Sequence, residues 1–524
     1  MTAATYPIIS GDYERGGEAS KQLKTLLKKI GADAAAVRRT MIAAYEAEMN
    51  VVIHAQDGAM HVAVDPEQVE IAVIDGGPGI PNIDRALSEG FSTAPAEARE
   101  LGFGAGMGLP NIRRNSDRFS IHSGEGRGTQ LRFMVRLRPA APGVTAPNSV
   151  AIQDGRCNQC LRCLHACPTQ ATRVRGGKPL ILEHLCVDCT ACAEACPSNV
   201  FGFPGQTALP EISPETVLVL PASLLGQLGP GVSFADVEQA LAELGFRNVR
   251  VSAAWENALA EAVRTHAADA AAAGPVLSPV CPAVVNLVRL RFPSLLPQVA
   301  PFLTPIEAAR DEITGPHAVF VAPCSAQYTA LAAPNGLTRT DVLAPAAIMP
   351  ALLPRVKRRA HPPAAAEDAT VTPLRIGGMD SVTRFLEDVE NGQATDCRVV
   401  ELYACPEGCF GAPIWKTHPA LARARAEAAL DGHEETGAAV RRIRDLTPRG
   451  GLRLDADMGR AMLKLGEIDR LTRTLPGRDC GVCGAPTCAA LAEDTVRGET
   501  AVEACPYREM EDAGNKRRES LHES

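Results

Sequence analysis

Over the first 139 residues, apolar positions alternate between helical spacing and short β-type runs. Ile71-Ala72-Val73-Ile74 and Gln130-Leu131-Arg132-Phe133-Met134-Val135 are two such runs. This pattern predicts an α/β unit over 1–139. Pro, Gly and Ala then take over from Pro139 to Pro147, predicting a linker over 140–150. Residues 151–203 hold too few large apolar side chains to fold on burial alone. A second α/β stretch, 215–420, opens with Val217-Leu218-Val219-Leu220 and continues in a helix Val237–Leu244 and a strand Val249–Val251. Inside it, the basic run at Arg355–Arg359 and the Pro/Ala run at Pro362–Ala366 read as a solvated loop. A charged helix is expected over Ala420–Asp445, within a connector 421–470. A last small unit at 471–510 and a polar tail at 511–524 complete the chain.

Composition narrows the classes of function. Lys and Arg total 53 against 61 Asp and Glu, a net charge of -8, and aromatics are 4 %. General nucleic-acid binding needs a basic excess or stacking platforms, so neither is expected. No apolar run approaches the roughly 20 residues of a membrane span. The start, Met1-Thr2-Ala3-Ala4-Thr5-Tyr6, lacks a basic region leading into an apolar one, so the expected address is cytoplasmic and reducing. There, 17 cysteines are many, and an odd number cannot be a closed disulfide set. Eight lie at 157–196, four at 480–505 and five at 281–409; local spacing leaves Cys397 as a free thiol.

Three blocks in the first unit carry nucleotide chemistry. Glu46 and Asn50 lie four apart on one helix face, where a carboxylate and an amide oxygen can hold Mg²⁺ and orient a hydroxyl beside a phosphate. Asp75-Gly76-Gly77-Pro78-Gly79 follows a strand; its acid can accept from an adenine amino group, and Gly77 and Gly79 admit backbone close to a nucleotide. Gly102-Phe103-Gly104-Ala105-Gly106-Met107-Gly108 runs into a helix at 110–115, with bare amides suited to a triphosphate. A glycine loop alone is more often a turn, but here the three occur in order and close on Gly126-Arg127-Gly128-Thr129. Residues 10–137 resemble the GHKL ATPases, and among them the small anti-sigma-factor-type serine kinases of the RsbT/RsbW kind. Ser92-Thr93 sits where that family has a similar pair. The resemblance implies Glu46 as general base, Asn50 as Mg²⁺ ligand, Asp75 as adenine contact, and ATP as ligand.

Cys157-x2-Cys160-x2-Cys163-x3-Cys167-Pro168 is repeated as Cys186-x2-Cys189-x2-Cys192-x3-Cys196-Pro197. Three thiolates on a tight loop reach one cubane and the fourth reaches the other. One cluster would use Cys157, Cys160, Cys163 and Cys196, the second Cys186, Cys189, Cys192 and Cys167. Zinc is the alternative, though it rarely uses this doubled run. The region resembles a bacterial ferredoxin with two [4Fe–4S] clusters. His54 is expected to pack within the nucleotide block, and His165 and His184, between ligands, to be solvated loop residues.

In the third region Cys281, Cys324, Cys405 and Cys409 sit in short loops far apart in sequence, an arrangement that can hold a cluster where two lobes meet. Any one of them could be a buried structural thiol. From Val217 to Pro413 the region resembles the large catalytic domain of [FeFe] hydrogenases, in segments such as Ala240–Phe246, Pro297–Pro301 and Gly378-Met379-Asp380. The four cysteines fall on that family's cubane ligands. The departures matter: Val280 replaces a proton-transfer cysteine, Gln327 replaces the lysine that bonds a cyanide of the diiron site, and the turn after the last ligand is Phe410–Trp415. The resemblance therefore implies a degenerate relative that keeps a [4Fe–4S] cluster without H₂ chemistry.

The last group, Cys480-x2-Cys483-x4-Cys488-x16-Cys505-Pro506, resembles the [4Fe–4S] module of Rnf-type electron-transfer subunits and corrinoid iron–sulfur proteins, with zinc a stronger rival here. The expected architecture is a GHKL α/β sandwich, a ferredoxin-like cluster domain, a two-lobed hydrogenase-like α/β domain and a small helical Fe–S domain, in a multidomain α/β and α+β chain. The expected cofactors are four [4Fe–4S] clusters, ATP and Mg²⁺. Two functions follow: a redox-responsive regulator acting on a STAS-type protein, or an ATP-driven electron carrier serving a redox partner protein. A homodimer is one expected state, since relatives of the N-terminal unit often dimerise.

Overall fold

In the computed structural model, the residues described are 2–13, 15–95, 106–140, 148–202, 205–269, 274–313, 315–332, 339–357, 374–391 and 399–508. Gly102, Gly104, Cys397, most of the expected linker and loop and all of the tail lie outside them.

The first unit is a five-stranded antiparallel sheet with helices on one face. Its elements are β1 (Thr2–Ile9), α1 (Glu18–Lys29), α2 (Ala34–His54), β2 (Asp57–Val64), β3 (Gln68–Asp75), α3 (Gly108–Asn115), β4 (Arg118–Ser123) and β5 (Thr129–Arg136). The strand order is β1-β2-β3-β5-β4. In β3, Val69, Ile71 and Val73 are buried while Glu70 and Ile74 are exposed, the alternation of a sheet covered on one side. Asp33 caps α2, its side chain accepting from the amides of Ala35 and Ala36. Buried Glu48 accepts from the amides of Gly17, Ala19 and Ser20 and from the Ser20 hydroxyl, so this carboxylate holds the start of α1.

The cysteine-dense stretch is a pair of matching loops. Gln159, Leu161 and Gln170 have left-handed φ, and so do Asp188, Thr190 and Asn199, each 29 residues further on, the offset that separates Cys157 from Cys186. Short ladders join Ala151–Ile152 to Phe201–Gly202, and Thr172–Arg175 to Lys178–Ile181.

The third region has two parallel sheets. One contains β6 (Val217–Leu220), β7 (Asn248–Val251), β9 (His317–Val321) and β10 (Arg339–Leu343), in the order β7-β6-β9-β10. The other contains β8 (Val276–Ser278), β11 (Leu374–Gly377) and β12 (Val399–Tyr403), in the order β8-β12-β11. Helix α4 (Met379–Glu390) follows β11. His317–Val321 is buried along its whole length, as a strand covered on both faces must be.

The helix expected over Ala420–Asp445 is a correction. It spans Pro419–Ala429 only, and the connector 421–470 is helical again only from Met458. Gly432, at φ +72, turns the chain out of the helix, and a strap then runs across the third region. Leu303 N–H donates to Val440 O, Arg442 N–H to Pro301 O and Arg449 N–H to Arg289 O, so the backbone groups that a helix would pair internally are paired with neighbours.

Helices α5 (Met458–Arg473) and α6 (Cys488–Val496) do not form an isolated small domain. Met458, Ala461, Leu465, Ile468 and Leu491 join Leu23, Leu27 and Met41 in one hydrophobic core. Lys29 and Glu493 close that junction at 2.7 Å. Among the described residues, no helix is long and apolar enough to cross a membrane.

Candidate functional site

A cavity of about 1200 Å³ opens in the first unit between α2, α3 and the sheet. Glu46 and Asn50 face it from α2, Asp75 and Gly79 from the end of β3, Gly106 and Gly108 from the start of α3, and Thr129 from β5. Ser92, Thr93 and His54 also line it. Gly77 is placed beside the cavity, its amide donating to Asp75 Oδ1 at 2.8 Å. Gly79 has φ +75 and packs on the Gly124 carbonyl, where any side chain would clash. Burial pushes the Glu46 carboxyl above its ordinary range, against a hydrogen bond from Asn111 Nδ2 at 2.8 Å. Asn111 is a site residue the sequence reading missed. It stands on α3, three positions past Gly108, and helical spacing from the glycine loop was the available signal. Burial holds the His54 imidazole below its ordinary pKa.

The doubled cysteine motif folds with its last members exchanged. Cys157, Cys160, Cys163 and Cys196 surround one small hollow. Cys163 is buried, and its thiol is pushed up to about 11 by burial first and then by Cys196, Cys157 and Cys160. Burial also raises the thiols of Cys189 and Cys192, and in both the largest neighbouring charge is that of Cys167. Cys186 is pushed to about 12 by burial, with Asp188 and Cys167 adding to it. Backbone amides point at the sulfurs in matched pairs: Gln159 N–H to Cys157 Sγ and Asp188 N–H to Cys186 Sγ, Ala171 N–H to Cys167 Sγ and Val200 N–H to Cys196 Sγ, at 3.1–3.4 Å. Such donors stabilise thiolate charge. Of the two histidines between ligands, His165 is exposed while His184 is partly buried.

In the third region Cys281 follows β8, Cys324 follows β9, and Cys405 and Cys409 follow β12. The carboxyl ends of both parallel sheets thus deliver one group to the lobe boundary, where open α/β sheets place ligands. Cys324 is pushed to about 12 by burial. Gln327 Nε2 donates to Cys409 Sγ at 3.4 Å. Cys189 packs in the core that holds Cys281 and Cys324, and the Thr190 side chain hydrogen-bonds Cys405, so the second and third groups adjoin.

Cys480, Cys483, Cys488 and Cys505 cluster around the start of α6. Thr487 caps it, and Asp479 Oδ1 accepts from the Cys488 amide at 2.7 Å. Buried Cys505 and half-buried Cys483 and Cys488 pack on the core of the first unit. This group adjoins the first: Val174 N–H donates to Gly484 O, and Arg173 forms a two-pronged buried pair with Asp494 at 2.6 and 2.8 Å.

Among the described residues no three His, Cys, Asp or Glu side chains meet at single-ion distance. The fit to clusters rests on donor type and grouping, with all sixteen described cysteines free of disulfides. Iron, once bound, would supply the positive charge that these buried thiols need to ionise. Bound clusters would add one-electron redox chemistry.

This cavity, this sheet order and these cysteine groups fit a kinase-like ATPase unit joined to iron–sulfur domains. Through residues 9–135 the chain belongs to the histidine kinase-like ATPase domain family. Residues 149–197 match the 4Fe-4S dicluster domain, 212–342 the C-terminal domain of the iron-only hydrogenase large subunit, and 475–507 an Fe-S cluster family. The chain is 30 % identical over 125 residues to the serine/threonine-protein kinase RsbT of Bacillus subtilis, covering 23 % of this chain and 88 % of that protein. It is 32 % identical over 92 residues to the anti-sigma F factor of Clostridium beijerinckii, covering 16 % and 61 %. Among solved structures, an [FeFe]-hydrogenase of Chlamydomonas reinhardtii matches at 15 % identity over 43 % of this chain and 87 % of that one, with a TM-score of 0.32. The mycobacterial sensor histidine kinase MprB matches at 16 % over 26 % and 99 %, with a TM-score of 0.17.

Proposed function

We propose that this chain is an ATP-binding iron–sulfur regulator whose cluster redox state controls a kinase-like domain acting on a STAS-type serine substrate. In this reading Asn50 holds Mg²⁺, Asp75 receives the adenine amino group, and Glu46 accepts the proton of the attacking hydroxyl as its oxygen reaches the γ-phosphorus. Four [4Fe–4S] clusters would use the four cysteine groups, and the domain division expected above is kept except that 471–510 is joined to the first unit. The observation that carries the reading is the shared core: Cys505 and Leu491 are packed together with Leu23 and Leu27 of the nucleotide unit, so a change at the last cluster reaches that unit by contact. Hydrogen chemistry is not proposed, because the hydrogenase resemblance implies Gln327 in place of that family's cyanide-bonding lysine and Val280 in place of its proton-transfer cysteine.

A second reading, an ATP-driven electron carrier serving a redox partner protein, is favoured by one feature. The fourth group adjoins the first and the second adjoins the third, as a relay requires. Anaerobic protein, oxidised or reduced, mixed with ATP and either a STAS-type protein or a redox partner separates the two. Redox-dependent phosphoserine supports the regulator, and ATP-dependent oxidation of the clusters supports the carrier. Neither product would defeat both.

A further inference from the structure

We propose that α4 transmits the state of the third cysteine group to the nucleotide cavity, and that Asn391, at its end, contacts the bound nucleotide. The proposal rests on the regulator reading above and names the route by which one region controls the other.

One end of α4 is set by the cysteine loop. Gly377, the last residue of β11, is paired with Tyr403, two residues before Cys405. A Cβ on Gly377 would lie 2.8 Å from the Cys405 carbonyl oxygen, so the two backbones touch. Gly378 N–H donates to Tyr403 O at 3.1 Å, and Met379 is buried in the core that holds Cys281 and Cys324. A shift of the Cys405 loop is therefore delivered to the start of the helix, because close-packed interiors move as blocks.

The other end is set by the nucleotide unit. Glu390 is almost fully buried, 1 % exposed, between Lys24 and Lys28 of α1, the second at 3.6 Å, and it accepts from the Ser294 hydroxyl. Both ammonium groups also lie over the Phe292 ring, at 5.1 and 5.3 Å. Lys21 and Glu387 add an outer pair at 3.5 Å. Between the ends, Val382, Leu386 and Val389 are buried. The twelve residues of the helix span about 18 Å as one rigid element. The next residue, Asn391, lines the same cavity as Glu46, Asn50 and Asp75. It is contributed by the cysteine-bearing region, 316 positions beyond Asp75. As the C-cap of α4 it stands among carbonyl ends with negative partial charge. Its contact therefore suits hydroxyl or amino donors of the nucleotide better than phosphate oxygens.

Linkage makes the coupling reciprocal: if reduction changes nucleotide affinity, nucleotide must shift the cluster potential by the same free energy. Cluster-loaded full chain, oxidised or reduced under anaerobic conditions, is titrated with a fluorescent ATP analogue, and the cluster potentials are measured with and without ATP. The expected wild-type result is an affinity difference between redox states on the order of tenfold, matched by a shift of about 59 mV in one potential. Glu390→Gln should remove most of that difference while keeping nucleotide binding and iron content. Asn391→Ala should weaken binding about fivefold in the tighter-binding redox state and less in the other, shrinking the ATP-induced potential shift to match. Asn391 is half-buried, so this variant keeps the test open if Glu390→Gln does not fold. If Asn391→Ala binds ATP and shifts the potential as wild type does, the route is wrong while the regulator reading survives. If wild type binds ATP equally in both states, reading and route both fall.

Discussion

Asn111 on α3 donates its side-chain N–H to Glu46 on α2 at 2.8 Å, tying the helix that follows the glycine loop to the carboxylate proposed as base. Burial raises the Glu46 pKa, so it stays protonated, and unable to accept a proton, to a higher pH than an ordinary carboxylate. The Asn111 bond opposes this by favouring the ionised form. Asn111→Leu should move the acid limb of the pH–rate profile upward. Glu46→Gln should cut phosphotransfer by about 10²–10⁴ while leaving nucleotide binding in place. An unmoved acid limb in the Asn111 variant would count against the pairing.

The exchange of Cys167 and Cys196 between the two loops can be read by metal content. Cys196→Ser should disturb the cluster proposed for Cys157, Cys160 and Cys163, while Cys167→Ser should disturb the one proposed for Cys186, Cys189 and Cys192. Loss of a cluster removes about four irons. Electron paramagnetic resonance of the reduced protein should show a different signal altered in each variant. The same signal altered in both would contradict the assignment.

Arg173 and Asp494 lie 321 positions apart and bury a two-pronged ion pair at the junction of the first and fourth groups. Replacing Asp494 with Asn leaves the buried guanidinium without its counter-charge, at a cost of about 3–5 kcal/mol. Limited proteolysis should then release the C-terminal helices before the rest of the chain is cut. Arg175, also paired with Asp494, should lose its order with it.

Lys28 supplies a pH dependence of defined sign. Burial pushes its ammonium down to about 7, against the pull of Glu390. Below about pH 7 both folded and unfolded chains carry the proton, and the cost of burying the charge is fully present. As pH rises from 7 toward the ordinary value of 10.5 the folded form sheds its proton first, so stability rises over that window. Lys28→Met should lose this dependence, stabilising the protein more at pH 6.5 than at pH 9. Parallel denaturant unfolding of both proteins under anaerobic conditions measures the difference, and parallel slopes would refute the assignment.

Much of the site was legible because its chemistry is local. Glu46 and Asn50 share a face because a helix turns every 3.6 residues, and a Cys-x2-Cys-x2-Cys run closes a loop whatever surrounds it. Apolar strings such as Val217–Leu220 announce buried parallel strands for the same reason. Gln327 stood out only through the hydrogenase resemblance, as the residue in place of that family's lysine, and its hydrogen bond to Cys409 could be seen only in the fold.

What the amino-acid order indicated by itself was therefore the kind of chemistry: a kinase-like ATPase unit and four groups of thiols. The tertiary structure decided which of these touch. Asn111 against Glu46, Glu390 between Lys24 and Lys28, Asn391 in the cavity and Cys505 in the core of the first unit are contacts between residues tens to hundreds of positions apart. Ala420–Asp445 shows the same limit from the other side. Its composition favours a helix, yet beyond Ala429 the backbone finds its partners at Pro301 and Leu303. Local spacing sets which face a side chain occupies; only the burial of one face against another sets what it meets there.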